Sequence, residues 1–190
     1  MNDKAYMADE EIIRSCISGD AKAQKQLFEK YSRRMMGLCM RYASHREEAE
    51  DMLQEGWIKV FRNLHQFRFE GSAEGWLKRV IVNACLEMLR KNKKMVNQVD
   101  IELIEEITPS EINSSDAMTA NDLLKMIHKL PAGYRTVFNL YAVEGYSHKE
   151  IGDMLGINES TSKSQYSRAR AHLQKMLELE NAYGKNVIGY

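Results

Sequence analysis

Apolar residues recur along the chain three and four positions apart, the period of a helix with one buried face. Before residue 95 this rhythm predicts four helices. Asp9 reads as the cap of a short one carrying Ile12, Ile13, Cys16 and Ile17 and ended by Gly19. A longer helix is expected from about Ala21 to Tyr42, with Leu27, Phe28, Tyr31, Met35, Leu38 and Tyr42 on its inner side. Ser44 and Glu47 have the spacing of a capping box, in which hydroxyl and carboxylate each satisfy a free amide, so a third helix should run from there to about Leu64. Its inner face reads Leu53, Trp57, Val60, Phe61 and Leu64. The two glycines of His65 to Gly75 break the rhythm and predict a loop, and a fourth helix follows from Trp76 to about Asn92.

The periodicity then lapses. Met95 to Asp116 carries Thr108-Pro109-Ser110 and Asn113-Ser114-Ser115, the composition of a linker. A short amphipathic piece at 101–107 is the alternative. Four further helices are expected at about Met118–Lys129, Ala132–Glu144, Ser147–Leu155 and Glu159–Glu178, with a frayed tail beyond. The fold class is therefore all-α: two small helical domains, an N-terminal helical bundle over 9–94 and a helix-turn-helix domain over 118–178. An acidic flexible linker over 95–117 joins them, and 179–190 form a tail.

Composition agrees. Of 190 residues 44% are hydrophobic and 28% charged, with two prolines and eleven glycines, which favours helices over a turn-rich β protein. No window approaches the roughly 18 apolar residues of a membrane span, and the polar, acidic Met1 to Glu11 is unlike a secretory signal. Cys16, Cys39 and Cys85 lack disulfide or zinc spacing and read as buried, reduced thiols of a cytoplasmic protein. His45, His65, His128, His148 and His172 are scattered, and no phosphate loop or nucleophile pairing occurs. The expectation is no enzyme, no metal, no cofactor, no small-molecule substrate and no membrane insertion.

Net charge is zero, yet the charges are segregated. Every charged residue from Met95 to Leu124 is acidic; every one from Ser160 to Leu177 is basic (Lys163, Arg168, Arg170 and Lys175). That basic run lies on the last helix. At 100° per residue, Ser162, Tyr166, Ala169, Leu173 and Met176 gather on one side, and Lys163, Ser164, Ser167, Arg170, Ala171 and Gln174 on the other. Ser160 stands at the start and Arg168 on the flank. Cations and small hydrogen-bonding side chains without interspersed acids suit a major groove; an ordinary basic surface helix is the alternative. Just upstream, Ser147 and Glu150 form a second capping box. Gly152 falls where two helices of a helix-turn-helix cross, and Gly156 where the turn needs a positive φ. A generic αα-hairpin fits the same pattern.

Two faces of the first domain also stand out. Opposite the inner face of the third helix, Ile58 is ringed by Asp51, Glu55 and Arg62, as an apolar anchor is in a protein interface; a single exposed Ile is also common. On the fourth helix, Trp76, Arg79, Asn83, Glu87 and Arg90 share a face preceded by Phe67, Arg68 and Phe69. Aromatic planes, polar groups and cations are what unstacked bases require. A core aromatic pair beside a solvated basic end is the other reading.

The stretches DMLQEGWIKVF (51–61), FEGSAEGWLKRVIVN (69–83), LPAGYRTVF (130–138), YSHKEIG (146–152) and TSKSQYSRAR (161–170), in this order and spacing, resemble the extracytoplasmic-function (ECF) sigma factors of the sigma-70 family. The resemblance implies a promoter-specificity subunit that binds core RNA polymerase, recognises the promoter and melts it to initiate transcription. A stand-alone helix-turn-helix regulator is the alternative. The sigma-factor resemblance further implies that 9–94 dock on polymerase through Asp51, Gln54, Glu55, Ile58 and Arg62. The same domain would melt the minus-ten element with Phe67, Arg68, Phe69, Trp76, Arg79, Asn83 and Arg90, the loop 67–74 and Asn83 holding a flipped base. Residues 118–178 would read the minus-thirty-five element through Ser160, Thr161, Lys163, Ser164, Ser167, Arg168 and Arg170. The linker would thread polymerase near the RNA exit path. Implied partners are the beta-prime and beta subunits of polymerase, promoter DNA and an anti-sigma factor. Where many members have a branched apolar residue and an Arg, this chain has Ser162 and Gln165. Ser162 is expected to weaken the inner face and leave more packing to Tyr166, and Gln165 to remove a phosphate contact. The loop before Trp76 also departs from the family's commonest version.

Overall fold

The protein is described by a computed structural model covering residues 3–91 and 120–187, with side chains for 9–91 and 122–179. The expected linker over 95–117, and the alternative helix at 101–107, lie outside the described residues. The chain divides into two compact units, residues 1–92 and 93–190. Both are helical, and no strand occurs among the described residues. None of those helices is long and apolar enough to cross a membrane.

The first unit holds α1 (Asp3–Ile17), α2 (Ala21–Tyr42), α3 (Arg46–Asn63), a 3-10 turn (Leu64–Gln66) and α4 (Ala73–Lys91). α2 forms as the sequence predicts. Asp20 caps it, its carboxylate accepting from the Lys22 and Ala23 amides at 2.8 and 3.4 Å. It buries Ala23, Leu27, Tyr31, Met35, Leu38, Cys39 and Tyr42. Phe28, one position off this row, is 41% exposed rather than inward. α1 starts well before Asp9. That residue is no cap: it accepts from the Tyr31 hydroxyl at 2.6 Å and from Lys30 at 2.5 Å, tying α1 to α2. Burial and the Asp9 hydrogen bond raise the Tyr31 phenol above its ordinary range.

α3 also starts differently. The cap is His45, whose Nδ1 accepts from the Glu48 amide at 3.2 Å, and Glu48 rather than Glu47 reaches back, to the Ser44 amide at 2.6 Å. The box is displaced by one because Glu48 points into the fold, 5% exposed. Met52, Gly56, Trp57 and Val60 form the buried line of α3, leaving Leu53 and Phe61 half-buried. α4 starts three residues before Trp76, at Ala73, since the Ser72 hydroxyl accepts from the Gly75 amide at 3.0 Å and so caps the helix. It packs on α3 where a Cβ on Gly56 would lie 2.9 Å from Cγ1 of Ile81.

The second unit comprises α5 (Ala120–His128), α6 (Ala132–Phe138), α7 (His148–Leu155) and α8 (Glu159–Val187). α6 widens into a π turn over Asn139–Val143, with the Glu144 amide bonded to the Asn139 carbonyl five residues back at 2.9 Å. Ser147 and Glu150 make the predicted capping box on α7. Gly156 has φ 69°, the left-handed conformation the turn requires. Met126, Ile127, Leu130, Ala169, Leu173 and Met176 form the core, flanked by Tyr134, Phe138 and Leu177. α8 runs on to Val187, so the expected frayed tail is helical to that point.

The crossing of α7 and α8 rests on Gly152. A Cβ there would stand 2.8 Å from the backbone oxygen of Ile157, an atom that cannot swing aside. Gly152→Ala is therefore expected to destabilise this unit by ~1–3 kcal/mol through overpacking, despite a helix-propensity gain of about 1 kcal/mol. Urea denaturation followed by tyrosine near-UV circular dichroism measures it. An unchanged or raised midpoint would contradict the close crossing.

Candidate nucleic-acid interface

On α8 the predicted division of faces holds. Ser162, Ala169, Leu173 and Met176 are buried and Tyr166 half-buried. Ser160, Lys163, Ser164, Ser167, Arg168, Arg170, Ala171 and Gln174 are exposed, and Thr161 is half-buried. Two cations are engaged within the unit. Lys163 pairs with Glu159 at 2.6 Å, and Arg168 donates to the Tyr134 hydroxyl at 3.3 Å. The basic run is thus answered by an acid one turn upstream, whose carboxyl the Lys163 hydrogen bond holds below its usual range. An exposed pair of this kind is easily exchanged for a phosphate oxygen.

Ser162 corrects the expectation of a weakened inner face. It is fully buried, and its Oγ lies 2.9 Å from Nδ1 of His148. The π turn brings Tyr141 flat against that imidazole, centroids 4.1 Å apart and planes 9° from parallel. Tyr166 closes the group, 4.5 Å from Tyr141 and stacked on Phe138 at 5.9 Å. Tyr166 carries packing as foreseen, but beside a polar latch rather than in place of a missing methyl. Burial, then the Lys163 charge, lowers the His148 pKa, with Glu159 opposing.

In the first unit the loop before α4 is built around aromatic contacts. Phe67 is only 6% exposed and packs edge-on to Phe69 at 5.0 Å and to Trp76 at 5.7 Å. It belongs to the core, so the aromatic-pair reading is right for Phe67, which has no free face for a base. Phe69 is half-buried with φ 59°, and the Arg14 guanidinium covers its ring at 4.2 Å. A left-handed conformation costs a bulky residue ~1–2 kcal/mol, a sum that the aromatic and cation–π contacts together can match. Trp76 is half-buried; Arg68, Arg79, Asn83 and Arg90 are exposed. Glu87, on the same face of α4, is paired with Lys59 of α3. That pairing holds its carboxyl below the usual range and leaves the face net cationic.

The outer side of α3 forms a ridge between two grooves. Gln54 and Ile58 stand on it, Ile58 being 45% exposed. One groove, of about 410 Å³, is walled by Phe28, Leu53, Trp57 and Phe61 with Glu50 at its rim. The other, of about 360 Å³, is lined by Asp51, Glu55, Met88 and Lys91. Four of the five sequence-predicted docking residues line these grooves; Arg62 is exposed on α3 but lines neither. The Phe28–Trp57–Phe61 wall was not foreseen, because Phe28, Leu53 and Phe61 fit the helical rows closely enough to be read as core. Phe28 lying one position off the Leu27–Tyr31–Met35 row was the available signal.

No cluster among the described residues could hold a metal ion. All three cysteines are buried, but Cys39 and Cys85, 46 positions apart in sequence, stand with sulfurs 3.8 Å apart between α2 and α4. The Cys39 contact and burial raise the Cys85 thiol well above its ordinary pKa.

Comparison with known proteins agrees with this geometry. Residues 27–95 match the family model of sigma-70 region 2, and residues 120–173 that of sigma-70 region 4. The chain is 31% identical over 180 residues to the ECF RNA polymerase sigma factor SigM of Mycobacterium tuberculosis, covering 95% of this chain and 89% of that protein. It is 28% identical over 176 residues to the ECF sigma factor SigW of Bacillus subtilis, covering 87% and 94%. Among solved structures it resembles the sigma factor RpoE bound to the anti-sigma factor NepR from Bartonella quintana. That match has a TM-score of 0.52 and 25% identity, over 81% of this chain and 96% of that one.

The His148 latch has a signature in solution. Folding lowers the pKa of this base, so the unfolded chain binds more protons as pH falls through about 6.5. The stability is present while the ring is neutral and is lost on acidification through that value, down to the folded pKa. Ring-proton NMR should show His148 titrating below a free imidazole, and Lys163→Ala should move the midpoint upward. A midpoint at or above that of free histidine would contradict the buried latch.

Proposed function

The chain belongs to the ECF RNA polymerase sigma factors, and from that membership we propose how its two units share the initiation of transcription. It is a promoter-specificity subunit: it binds core RNA polymerase, recognises the promoter and melts it. What carries this conclusion is the presence of regions 2 and 4, in order, on one chain. A stand-alone helix-turn-helix regulator has no use for the first of them, and that reading is set aside.

In our reading residues 9–94 dock on polymerase through the α3 ridge. Ile58 is the apolar anchor and Asp51, Gln54 and Glu55 surround it; Arg62 extends the contact along the helix. The flanking grooves support this, since a ridge between two clefts interlocks with a partner helix better than a flat face does. The same domain captures melted minus-ten bases. Trp76 and the edge of Phe69 supply apolar contact, Asn83 and Arg68 polar contact, and Arg79 and Arg90 the backbone charge. Phe67 supports that surface from beneath. Residues 118–178 place α8 in the major groove of the minus-thirty-five element. Ser160, Thr161, Ser164 and Ser167 approach base edges or phosphates there, and Lys163, Arg168 and Arg170 neutralise phosphates. The acidic linker over 95–117 threads polymerase near the RNA exit path. The beta-prime and beta subunits are the proposed polymerase partners. An anti-sigma factor is a further one, as in the Bartonella quintana relative. The protein acts in the cytoplasm, by binding alone and without an active site of its own.

The test is run-off transcription with purified core polymerase, supported by core-affinity and footprinting measurements. Addition of the protein should confer specific initiation; no stimulation at any promoter of the host genome would sink the reading. Ile58→Glu should weaken core binding at least about thirtyfold, the scale of a lost hot spot, and spare promoter contacts. Lys163→Ala and Arg168→Ala should do the reverse, each costing ~1–3 kcal/mol or less in promoter use. Asn83→Ala should impair open-complex formation more than initial binding, and equal loss in both would remove Asn83 from base capture.

A further inference from the structure

Phe69 is the one non-glycine residue with a positive φ among the described residues, at 59°. Aromatic side chains seldom hold this conformation unless neighbours impose it. One neighbour is Phe67, already part of the core. Another is Arg14, in the last turn of α1, a helix to which none of the proposed promoter or polymerase contacts belongs. Its guanidinium lies over the Phe69 ring at 4.2 Å. Glu10, one turn earlier, accepts from Nε at 3.1 Å and from the terminal nitrogen at 2.5 Å. Two donors on one carboxylate orient the planar guanidinium, so it covers the ring rather than sweeping through solvent.

We propose that Arg14 is a positioning residue for promoter melting: by clamping Phe69 it fixes the left-handed turn of the loop that receives the melted strand. The turn is followed by Gly71 at φ 90° and by Ser72, which caps α4. A single conformation at Phe69 therefore sets where Arg68 and Glu70, both exposed, leave the fold. Without the clamp Phe69 relaxes toward extended or right-handed backbone, and the loop must be ordered again each time a base is taken. Preorganisation of this kind acts on capture and not on docking, since neither residue lines the α3 grooves. The inference rests on the proposed role of this loop in base capture.

The experiment uses full-length protein with core polymerase and a melted minus-ten region probed by permanganate reactivity of unpaired thymines. Core affinity and melting temperature are measured alongside. Arg14→Ala is expected to lower open-complex formation by roughly two- to fivefold, the factor a cation–π contact at an exposed site represents, with core affinity and melting temperature unchanged. Arg14→Lys keeps a cation within reach of the ring but not the planar, two-donor geometry, so it should recover only part of the loss. In a Phe69→Gly background, where glycine adopts the turn unaided, Arg14→Ala should have no further effect.

Normal melting with Arg14→Ala overturns the proposal, as does an undiminished loss in the Phe69→Gly background or failure of Arg14→Lys to recover any of it. A fall in core affinity equal to the fall in melting overturns it too, by making the role merely structural. Asn83→Ala separates this from the base-capture reading. If it impairs melting while Arg14→Ala does not, the clamp alone falls. If Arg14→Ala impairs melting with rescue while Asn83→Ala does not, the clamp stands and Asn83 loses its role.

Discussion

The packing of α3 on α4 is the contact on which the first unit's proposed surfaces depend. It is close because Gly56 offers no side chain and Ile81 fills the space, and Met52, Trp57, Val60, Leu77 and Leu89 are buried along the same two helices. With those residues committed inward, each helix has only its far side left for partners. On α3 that side is the ridge bearing Ile58; on α4 it is the line of Arg79, Asn83 and Arg90. Lys59 crosses from α3 to Glu87 of α4 and removes the one acid from that cationic line. Well-packed helices transmit position with little give. A partner docked on α3 would therefore find the exposed side of α4 held in fixed register.

The second unit solves a similar problem with a different contact. Gly152 admits the Ile157 carbonyl, and the backbone of α7 meets the turn directly. The start of α8 is then fixed by a hydrogen bond between two side chains, Ser162 and His148, beneath Tyr141 and Tyr166. A branched apolar residue would fill that position by shape alone. The hydroxyl fills it by direction, because an unpaired buried polar group costs more than the bond returns. The π turn of α6 is part of the same device, since it carries Tyr141 against the imidazole.

Most of the helical framework was legible in the sequence, and for a local reason. The bounds of α2, the Ser147–Glu150 box, Gly156 and the two faces of α8 depend on residues within one or two turns of each other. What escaped the sequence depends on partners far along the chain. Asp9 resembles a cap until Tyr31 and Lys30 arrive from the next helix. Ser44 and Glu47 resemble a box until the fold draws Glu48 inward. Phe28 and Phe61 satisfy the periodicity of a core but wall an open groove, because among the described residues no further helix covers them. Cys39 and Cys85 look unrelated until α2 and α4 place them together. Ser162 looked like a loss because its partner, His148, is fourteen residues away. At the candidate surfaces the exposure of Ile58, Asn83, Lys163 and Ser167 was legible in the sequence, and the depth at which individual aromatics sit was not.

Charge explains why such a protein would act only as a subunit. Lys+Arg and Asp+Glu each number 27, so 27 − 27 leaves no net attraction toward a polyanion. The basic face of α8 is small, and two of its cations, Lys163 and Arg168, already have partners within the unit. Affinity for duplex DNA grows with the number of phosphates neutralised. A handful of contacts, some of which must first break an internal pair, gives weak binding by that rule. Tethering changes the arithmetic, because a second site held on the same body meets its target at high effective concentration. The proposed docking through α3 would supply that tether. The weakness of α8 alone would then become a source of selectivity, since free protein would not occupy promoters that polymerase has not reached.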